Sequence, residues 1–373
     1  MVPELSYSDT GVDRDQRAES KKALQSLKKT YGYSQYGKVI ELPYGRIIPF
    51  HDRYLDLVIE GVGTKVLIAQ LAGKYDTIGI DGIAMAVNDV IRSGAKPFVL
   101  ADNIHAQVSD PVLVKEWMKG IVKGAEECEC VVPSGEIGDV ADLIKGLSEG
   151  KGFDMVFASV GELAKDEIIT GTEIRAHDVI IGMKSSGVHS NGISLVRRVL
   201  FRRWGGEYEP EAVLDGFDKE IINEVLEPTR IYVKSFLNLA REIRVLGAVH
   251  VTGDAYLKFN RFTRFSPGIG FEFDNFEPQP IFDLIQKTSK KLKRTVTDEE
   301  MFKTFNMGWG FAAIVNKKEA DQALDILRKT ETGAQVIGHV TAGEGTKILH
   351  KGKKIKLSVH SGQRKHCTDS KSV

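Results

Sequence analysis

A chain of 373 residues exceeds one ordinary core, and at roughly 100–200 residues per domain it is expected to fold as two. Its 51 basic and 51 acidic residues leave a formal net charge of zero, which lends no global support to a nucleic-acid binder or a membrane-surface protein. Proline is scarce at 11, and the 37 glycines, about 10% of the chain against a usual roughly 7%, follow no G-x-y period, so collagen-like and linker readings fall away.

The opening MVPELSYSDTGVDRD is acidic and has no apolar stretch, so no signal peptide is expected, and no apolar run reaches the ~18 residues of a membrane span. Cys128, Cys130 and Cys367 cannot all pair within one chain, and free thiols in a reducing cytoplasm are expected. Residues 18–30 have Leu24 and Leu27 on one side and lysines around them, which predicts a helix. After a glycine- and tyrosine-rich loop at 31–45, YLDLVIEG at 54–61 predicts a strand. A short strand-like TIGI and a long helix are expected within 76–92, a strand at 97–105, a helix at 112–128, a strand from Cys130 and another at 153–163. The rhythm then divides the chain into an N-terminal domain at 1–170 and a C-terminal domain at 171–360, with a polar tail at 361–373. The second part reads as a strand at 179–186, helices at 193–204 and 232–243, strands at 268–274 and 308–316, a helix at 318–330 and closing strands at 335–341 and 354–359. The fold class is α/β (α+β). Residues 347–365 hold seven lysines and arginines and no acid, which hairpin spacing reads as a solvated last strand and tail.

Chemistry concentrates at the ends of predicted strands. LDLVIEGVGTK delivers Glu60 into a turn where Gly61 and Gly63 let backbone N–H groups approach an anion, with the Thr64 hydroxyl and the Lys65 charge beside them. It is neither a Walker A loop nor G-x-G-x-x-G, and by itself it reads equally well as a tight turn. Downstream, helical spacing puts Asp81, Met85, Asn88, Asp89 and Arg92 near one side of a helix. Asp81 alone reads as a cap, but Asn88 and Asp89 interrupt an apolar helix and are either satisfied by packing or aimed at a ligand. With Glu60 and Asp76 they offer the oxygen ligands that Mg2+ takes. Glu136 leaves a strand between glycines and is a further site candidate, while Asp139 and Asp142 read more readily as caps. In KSSGVHSNGISLVRRVL, the dense loop of Ser185, Ser186, Gly187, Ser190, Asn191 and Gly192 precedes a basic helix, a setting for phosphate. His189 in that loop and His250 in AVHVTGDAY follow strands and are candidate acid–base or phosphate groups. The inventory points to phosphate handled with Mg2+, with ATP as its source, at a seam between two domains.

Six ordered blocks resemble the phosphoribosylformylglycinamidine cyclo-ligase family: SYSDTGVD, EGVGTK, DTIGIDGIAMAVNDVIRSGAKP, SSGVHSNGISLVRRVL, LEPTRIYVKS and MFKTFNMGWG. The resemblance implies a homodimer in which N-terminal sheets join across a twofold axis, and an ATP- and Mg2+-dependent ring closure of formylglycinamidine ribonucleotide through an iminophosphate. It places Asp9, Lys65, Asp81, Asn88 and Asp89 about the ATP phosphates and metal, and Gly187, His189, Ser190 and Asn191 on the substrate-phosphate side. It implies Lys65 for the transferred phosphoryl charge, Glu60, Asp81, Asp89 and Glu136 for the metal, and His189 or His250 as proton carrier. The chain departs from the family pattern at Glu60, where the family has Asp, and at PSGEIGDVAD, YGYSQYGK and TGDAYLKF. The alternatives are another ATP-dependent enzyme of this fold, such as a thiamine-monophosphate kinase or a selenophosphate synthetase, and a nucleotide-binding regulator without turnover.

Overall fold

The computed structural model of the chain describes residues 4–330 and 332–357, and the tail expected at 361–373, with Cys367, lies outside them. The first sheet is built from β1 (Ile40–Glu41), β2 (Arg46–Phe50), β3 (Arg53–Gly61), β4 (Lys96–Ala106), β5 (Val131–Asp139) and β6 (Phe153–Ala164), in the order β1-β2-β3-β6-β4-β5. Helices α1 (Arg14–Lys22), α2 (Lys65–Ala72), α3 (Ile78–Val90) and α4 (Pro111–Cys128) belong to the same part of the chain. In this sheet β4 and β5 pair in parallel, and α4 supplies the crossover that a parallel pair requires.

The second sheet contains β7 (Val179–Lys184), β8 (Val245–His250), β9 (Ile269–Phe273), β10 (Trp309–Val315), β11 (Ala334–Ala342), β12 (Gly345–His350) and β13 (Lys353–Leu357), in the order β13-β12-β9-β11-β7-β10-β8. With it run α5 (Ile193–Leu200), α6 (Ile221–Leu226), α7 (Val233–Glu242), α8 (Pro280–Lys291), α9 (Asp298–Thr304) and α10 (Ala320–Arg328). Strand β10 is buried along its whole length, as its unbroken WGFAAIV requires. The lysine-rich closing segment forms the expected hairpin, β12 with β13.

Every residue of α3 is buried. Glycines permit that position: a Cβ on Gly79 would stand 2.4 Å from the Ile121 amide nitrogen in α4, and one on Gly82 would lie 2.1 Å from the Phe157 ring in β6. The expected short strand at TIGI is therefore the first turn of α3, because a helix enclosed on all sides loses the one-faced apolar stripe that betrays helices in sequence. The helix expected at 18–30 breaks differently: α1 stops at Lys22 and a 3-10 helix, Ala23–Tyr33, continues. Leu24 and Leu27 stay exposed there, so no packed apolar face holds a regular α-helix.

Helices cover one face of the first sheet. The other leaves Ile48 and Phe50 of β2, Leu57 and Ile59 of β3, Phe98 of β4 and Val131 of β5 exposed, with Ile59 at 64%.

Candidate active site at the two ends of a buried helix

Strand β3 ends at Gly61, the chain turns through Gly63 in the left-handed region at φ 70°, and α2 begins with Lys65. The Lys65 side chain points inward and is wholly buried. Its Nζ donates to Asp81 Oδ1 at 2.8 Å and to the Glu227 carbonyl at 2.7 Å. The same Asp81 oxygen accepts from the Thr229 amide at 2.8 Å, the Thr229 hydroxyl at 2.6 Å and Ser190 Oγ at 3.1 Å. Asp81 Oδ2 is buried with no partner among the described residues. Burial lowers the Lys65 pKa, and the Asp81 charge opposes that shift. Two turns on, Asn88 uses both ends of its amide on the same strap of chain, donating to the Arg230 carbonyl at 2.8 Å and accepting from the Tyr232 amide at 2.9 Å.

Asp89, one residue further, faces a different environment. Its Oδ1 lies 2.8 Å from His250 Nδ1, and its Oδ2 lies 2.6 Å from Arg92 Nη2. Burial alone would raise its pKa, but Arg92 and then the His250 hydrogen bond outweigh burial and hold Asp89 below the usual carboxylate range. Glu60 shares a hydrogen bond with Asp89 and is pushed up to about 7, first by burial and then by the Asp89 charge. Lys258 closes the group: its Nζ donates to the His250 carbonyl at 3.0 Å and to Thr252 Oγ1, and burial lowers its pKa to about 8.

The hydrogen bonds determine the histidine tautomers. An ionised Asp89 only accepts, so neutral His250 carries its proton on Nδ1 and bares the Nε2 lone pair. Burial lowers His250 to about 4, so the ring is neutral near pH 7. His189 holds the same tautomer but leaves its other nitrogen bare. The Ser186 backbone N–H donates to its Nε2 at 3.1 Å, so the proton of the neutral ring sits on Nδ1. Burial, followed by the His250, Lys65 and Arg230 charges, holds His189 well below its ordinary pKa. His250 Nε2 and His189 Nδ1 are both buried without a partner among the described residues, one an acceptor and the other a donor. Gly310 makes room beside them: a Cβ there would stand 2.5 Å from His189 Cε1 and 2.2 Å from the Tyr232 hydroxyl.

Both parts of the chain match family models: residues 46–163 match AIR synthase related protein, N-terminal domain, and residues 175–351 match AIR synthase related protein, C-terminal domain. The phosphoribosylformylglycinamidine cyclo-ligase of Methanocaldococcus jannaschii is 38% identical over 359 residues, covering 93% of this chain and 96% of that protein. That of Pyrococcus horikoshii is 37% identical over 329 residues, covering 87% and 92%. The chain belongs to the phosphoribosylformylglycinamidine cyclo-ligase family. Solved structures share the fold at low identity. Hydrogenase maturation protein HypE aligns with TM-score 0.58 and 16% identity over 90% of this chain and 94% of its own. T. maritima PurL complexed with ADP aligns with TM-score 0.56 and 14% identity over 89% of this chain, which spans 47% of that longer chain.

In this cyclo-ligase the four carboxylates expected to share a metal do not form one cluster. Glu60 and Asp89 meet. Asp81 lies eight residues back along α3, about 12 Å at the usual rise per residue, and is held by Lys65 and Thr229. Glu136, expected to leave its strand, instead lies exposed within β5 at the sheet edge, opposite Asn103 of β4. Asp139 accepts from the Ser109 amide and hydroxyl, and the Asp76 Oδ1 atom is buried without a partner among the described residues. Among the described residues no group of three or more His, Cys, Asp or Glu side chains is placed to hold a metal ion. Thr64 Oγ1 lies 3.2 Å from Ser194 Oγ, and Asn191 Oδ1 accepts from the Gly253 amide at 2.9 Å, tying the loop before α5 to the loop after β8. Gly187 adopts φ 150°, and its carbonyl accepts from Asn306 at 2.8 Å. Asp9 is exposed and accepts from the Ser6 amide at 2.9 Å, closing the first turn of the chain. Arg14 then pins this segment to Glu300 at 3.0 Å.

Sequence reasoning missed Thr229, Lys258 and Tyr232. The only signal for Thr229 and Tyr232 was their place in LEPTRIYVKS, a block with no catalytic side-chain pattern of its own. Lys258 lies in a stretch that departs from the family pattern, where spacing carries no expectation.

Proposed function

We propose that this cyclo-ligase closes the imidazole ring of aminoimidazole ribonucleotide from formylglycinamidine ribonucleotide, converting ATP to ADP and phosphate. ATP phosphorylates the formyl amide oxygen. The amidine nitrogen then attacks that carbon, and phosphate departs in place of a poor oxygen leaving group. Enzymatic work on such a reaction is orientation, charge neutralisation and proton transfer. The observation that carries the reading is the pair of buried imidazole nitrogens of opposite character, His250 Nε2 as acceptor and His189 Nδ1 as donor. His250 takes the proton that the attacking nitrogen loses, while the Asp89 carboxylate stabilises the imidazolium that forms. His189 donates toward the oxygen that becomes the leaving phosphate.

Glu60 and Asp89 fit Mg2+, which commonly takes one or two protein carboxylates and completes its shell with phosphate oxygens and water. An ion held there supplies neutralising charge to the triphosphate. The loop of Gly187, Ser190 and Asn191 carries the substrate phosphate.

A second copy of the chain is proposed to cover the open apolar face of the first sheet. The exposed apolar side chains of Ile48, Phe50, Leu57, Ile59, Phe98 and Val131 suit the self-complementary patch of a twofold dimer. Sedimentation should give a dimer for the wild type and a monomer for Leu57→Asp combined with Ile59→Asp. A wild-type monomer at micromolar concentration would remove the dimer.

The enzymatic reading is tested by following ADP release with and without formylglycinamidine ribonucleotide. Substrate-dependent ADP and a stoichiometric aminoimidazole product are expected. ATP binding with no substrate-dependent turnover would replace the reading with a nucleotide-binding regulator.

A further inference from the structure

Cys128 and Cys130 take no part in the chemistry above, yet the backbone brings them together. Helix α4 ends at Cys128, and Glu129 turns into the left-handed region at φ 58°. The Glu129 amide bonds back to the Glu126 carbonyl at 3.3 Å and the Cys130 amide to the Ala125 carbonyl at 3.0 Å, so a closed helix end determines where the chain goes next. Across this reversal the Cys130 Sγ reaches back to the Cys128 carbonyl at 3.6 Å. Cys128 Sγ donates to the Ala125 carbonyl at 3.5 Å, and both cysteines are free. Cys128 is 2% exposed, whereas Cys130, at 8%, forms part of the wall of a groove of about 700 Å³ between α4 and β5. Met118, Ile121, Val122, Val131 and Ile137 make the rest of that wall largely apolar.

We propose that Cys128 and Cys130 are a redox modification site, closing to an intrachain disulfide when a hydroperoxide reaches them through the groove.

The two sulfurs are not equivalent. The Cys128 thiol beside it holds the pKa of Cys130 down against the effect of burial, and the Lys96 charge adds to this. The Cys130 thiol beside it and burial push Cys128 up. Cys130, on the groove wall, is the sulfur that meets the hydroperoxide and attacks it, and Cys128, behind it, is the resolving thiol. The Cys130 sulfur attacks one peroxide oxygen: an S–O bond forms, the O–O bond breaks, and the other oxygen leaves as water after taking a proton. The Cys128 sulfur then attacks the Cys130 sulfur: an S–S bond forms, the S–O bond breaks, and the departing hydroxide takes the Cys128 proton as a second water. Two thiols are oxidised and one hydroperoxide is reduced. Closure across a single intervening residue makes a small ring, which general disulfide chemistry marks as readily reduced.

Both cysteines fall on one tryptic peptide, residues 124–145, between Lys123 and Lys145, which makes the test direct. The full chain is treated with a modest excess of hydrogen peroxide, alkylated without reductant, digested and weighed. Most of this peptide should be lighter by two hydrogen atoms and carry no alkyl group, and dithiothreitol should restore double alkylation. Cys128→Ser should stop at a Cys130 sulfenic acid trapped by dimedone, while Cys130→Ser should leave Cys128 alkylated. Because a buried Cys→Ser change can unfold the chain, the wild type is also titrated with phenylarsine oxide, which requires two neighbouring thiols and should bind one per chain at this peptide. A peptide that is doubly alkylated after peroxide, carries sulfinic acid without a disulfide, or is joined only to Cys367 overturns the proposal.

Discussion

Helix α3 carries two buried carboxylates that the family resemblance assigned alike to the metal, and the protein gives them different partners. At the Asp81 end one oxygen collects an ammonium, two hydroxyls and an amide, all from its own chain, and Lys65 has no exposed surface. At the Asp89 end the carboxylate is shared between Arg92 and His250, and the histidine presents an unpartnered nitrogen. Glu60 and Lys258, both pushed toward neutrality by burial, crowd the same end. Four donors gathered on one carboxylate oxygen rigidify a fold, although Asp81 Oδ2 is left without a partner among the described residues, whereas a carboxylate that orients a histidine with a bare ring nitrogen is equipped for proton transfer. The difference comes from the partners. The Asp81 end meets the strap at 227–232, and the Asp89 end meets β8 and the loop that follows it.

Changes at the two ends should therefore separate stability from turnover. Lys65→Met leaves Asp81 buried without its cation, so a loss of about 3–5 kcal/mol in chemical denaturation is expected. A variant with unaltered stability and only impaired turnover would move Lys65 into the chemical end. Asn88→Ala strands the Arg230 carbonyl and the Tyr232 amide, and about 1–3 kcal/mol should be lost for each group that water cannot reach. Its thermal midpoint should fall while the KM for ATP holds, and a selective rise in that KM would show that Asn88 touches nucleotide.

The smallest effect comes from Asp56, which lies under the Asp89 end and is raised to about 6 chiefly by burial. The folded state binds this proton more tightly than the unfolded state does. Stability is therefore greatest below the unfolded pKa near 4 and declines as pH rises through about 6. Asp56→Asn should be more stable than the wild type by about 1–3 kcal/mol at pH 8, with the gain fading below pH 4. Denaturation curves at both pH values check the sign, and a variant less stable at pH 8 would show that the charge is favourably solvated.

Much of the fold was legible because local signals agreed with it. YLDLVIEG became β3, the run from Val112 became α4, and LHKGKKIKL became part of a hairpin. TIGI misled because α3 is buried on every side, and 18–30 misled because its leucines stay exposed. At the site, the spacing of Asp81, Asn88 and Asp89 announced polar work inside an apolar helix, but one sequence has no access to which long-range partner each would meet. That is why Lys65 and Asn88, expected at phosphate, are engaged by the strap, and why Glu136 appears on a sheet edge. The histidines were legible as residues, while their division into donor and acceptor required Ser186 and Asp89 in three dimensions.

The most direct test is His250→Gln, assayed for single-turnover aminoimidazole formation and thermal midpoint on the same preparation. Glutamine can still donate to Asp89 but has no basic nitrogen to receive a proton. Ring closure should slow by about 10²–10⁴-fold while the midpoint stays near that of the wild type. Wild-type rates, or a rate loss matched by an equal loss of stability, would contradict the assignment of this end of α3 to chemistry.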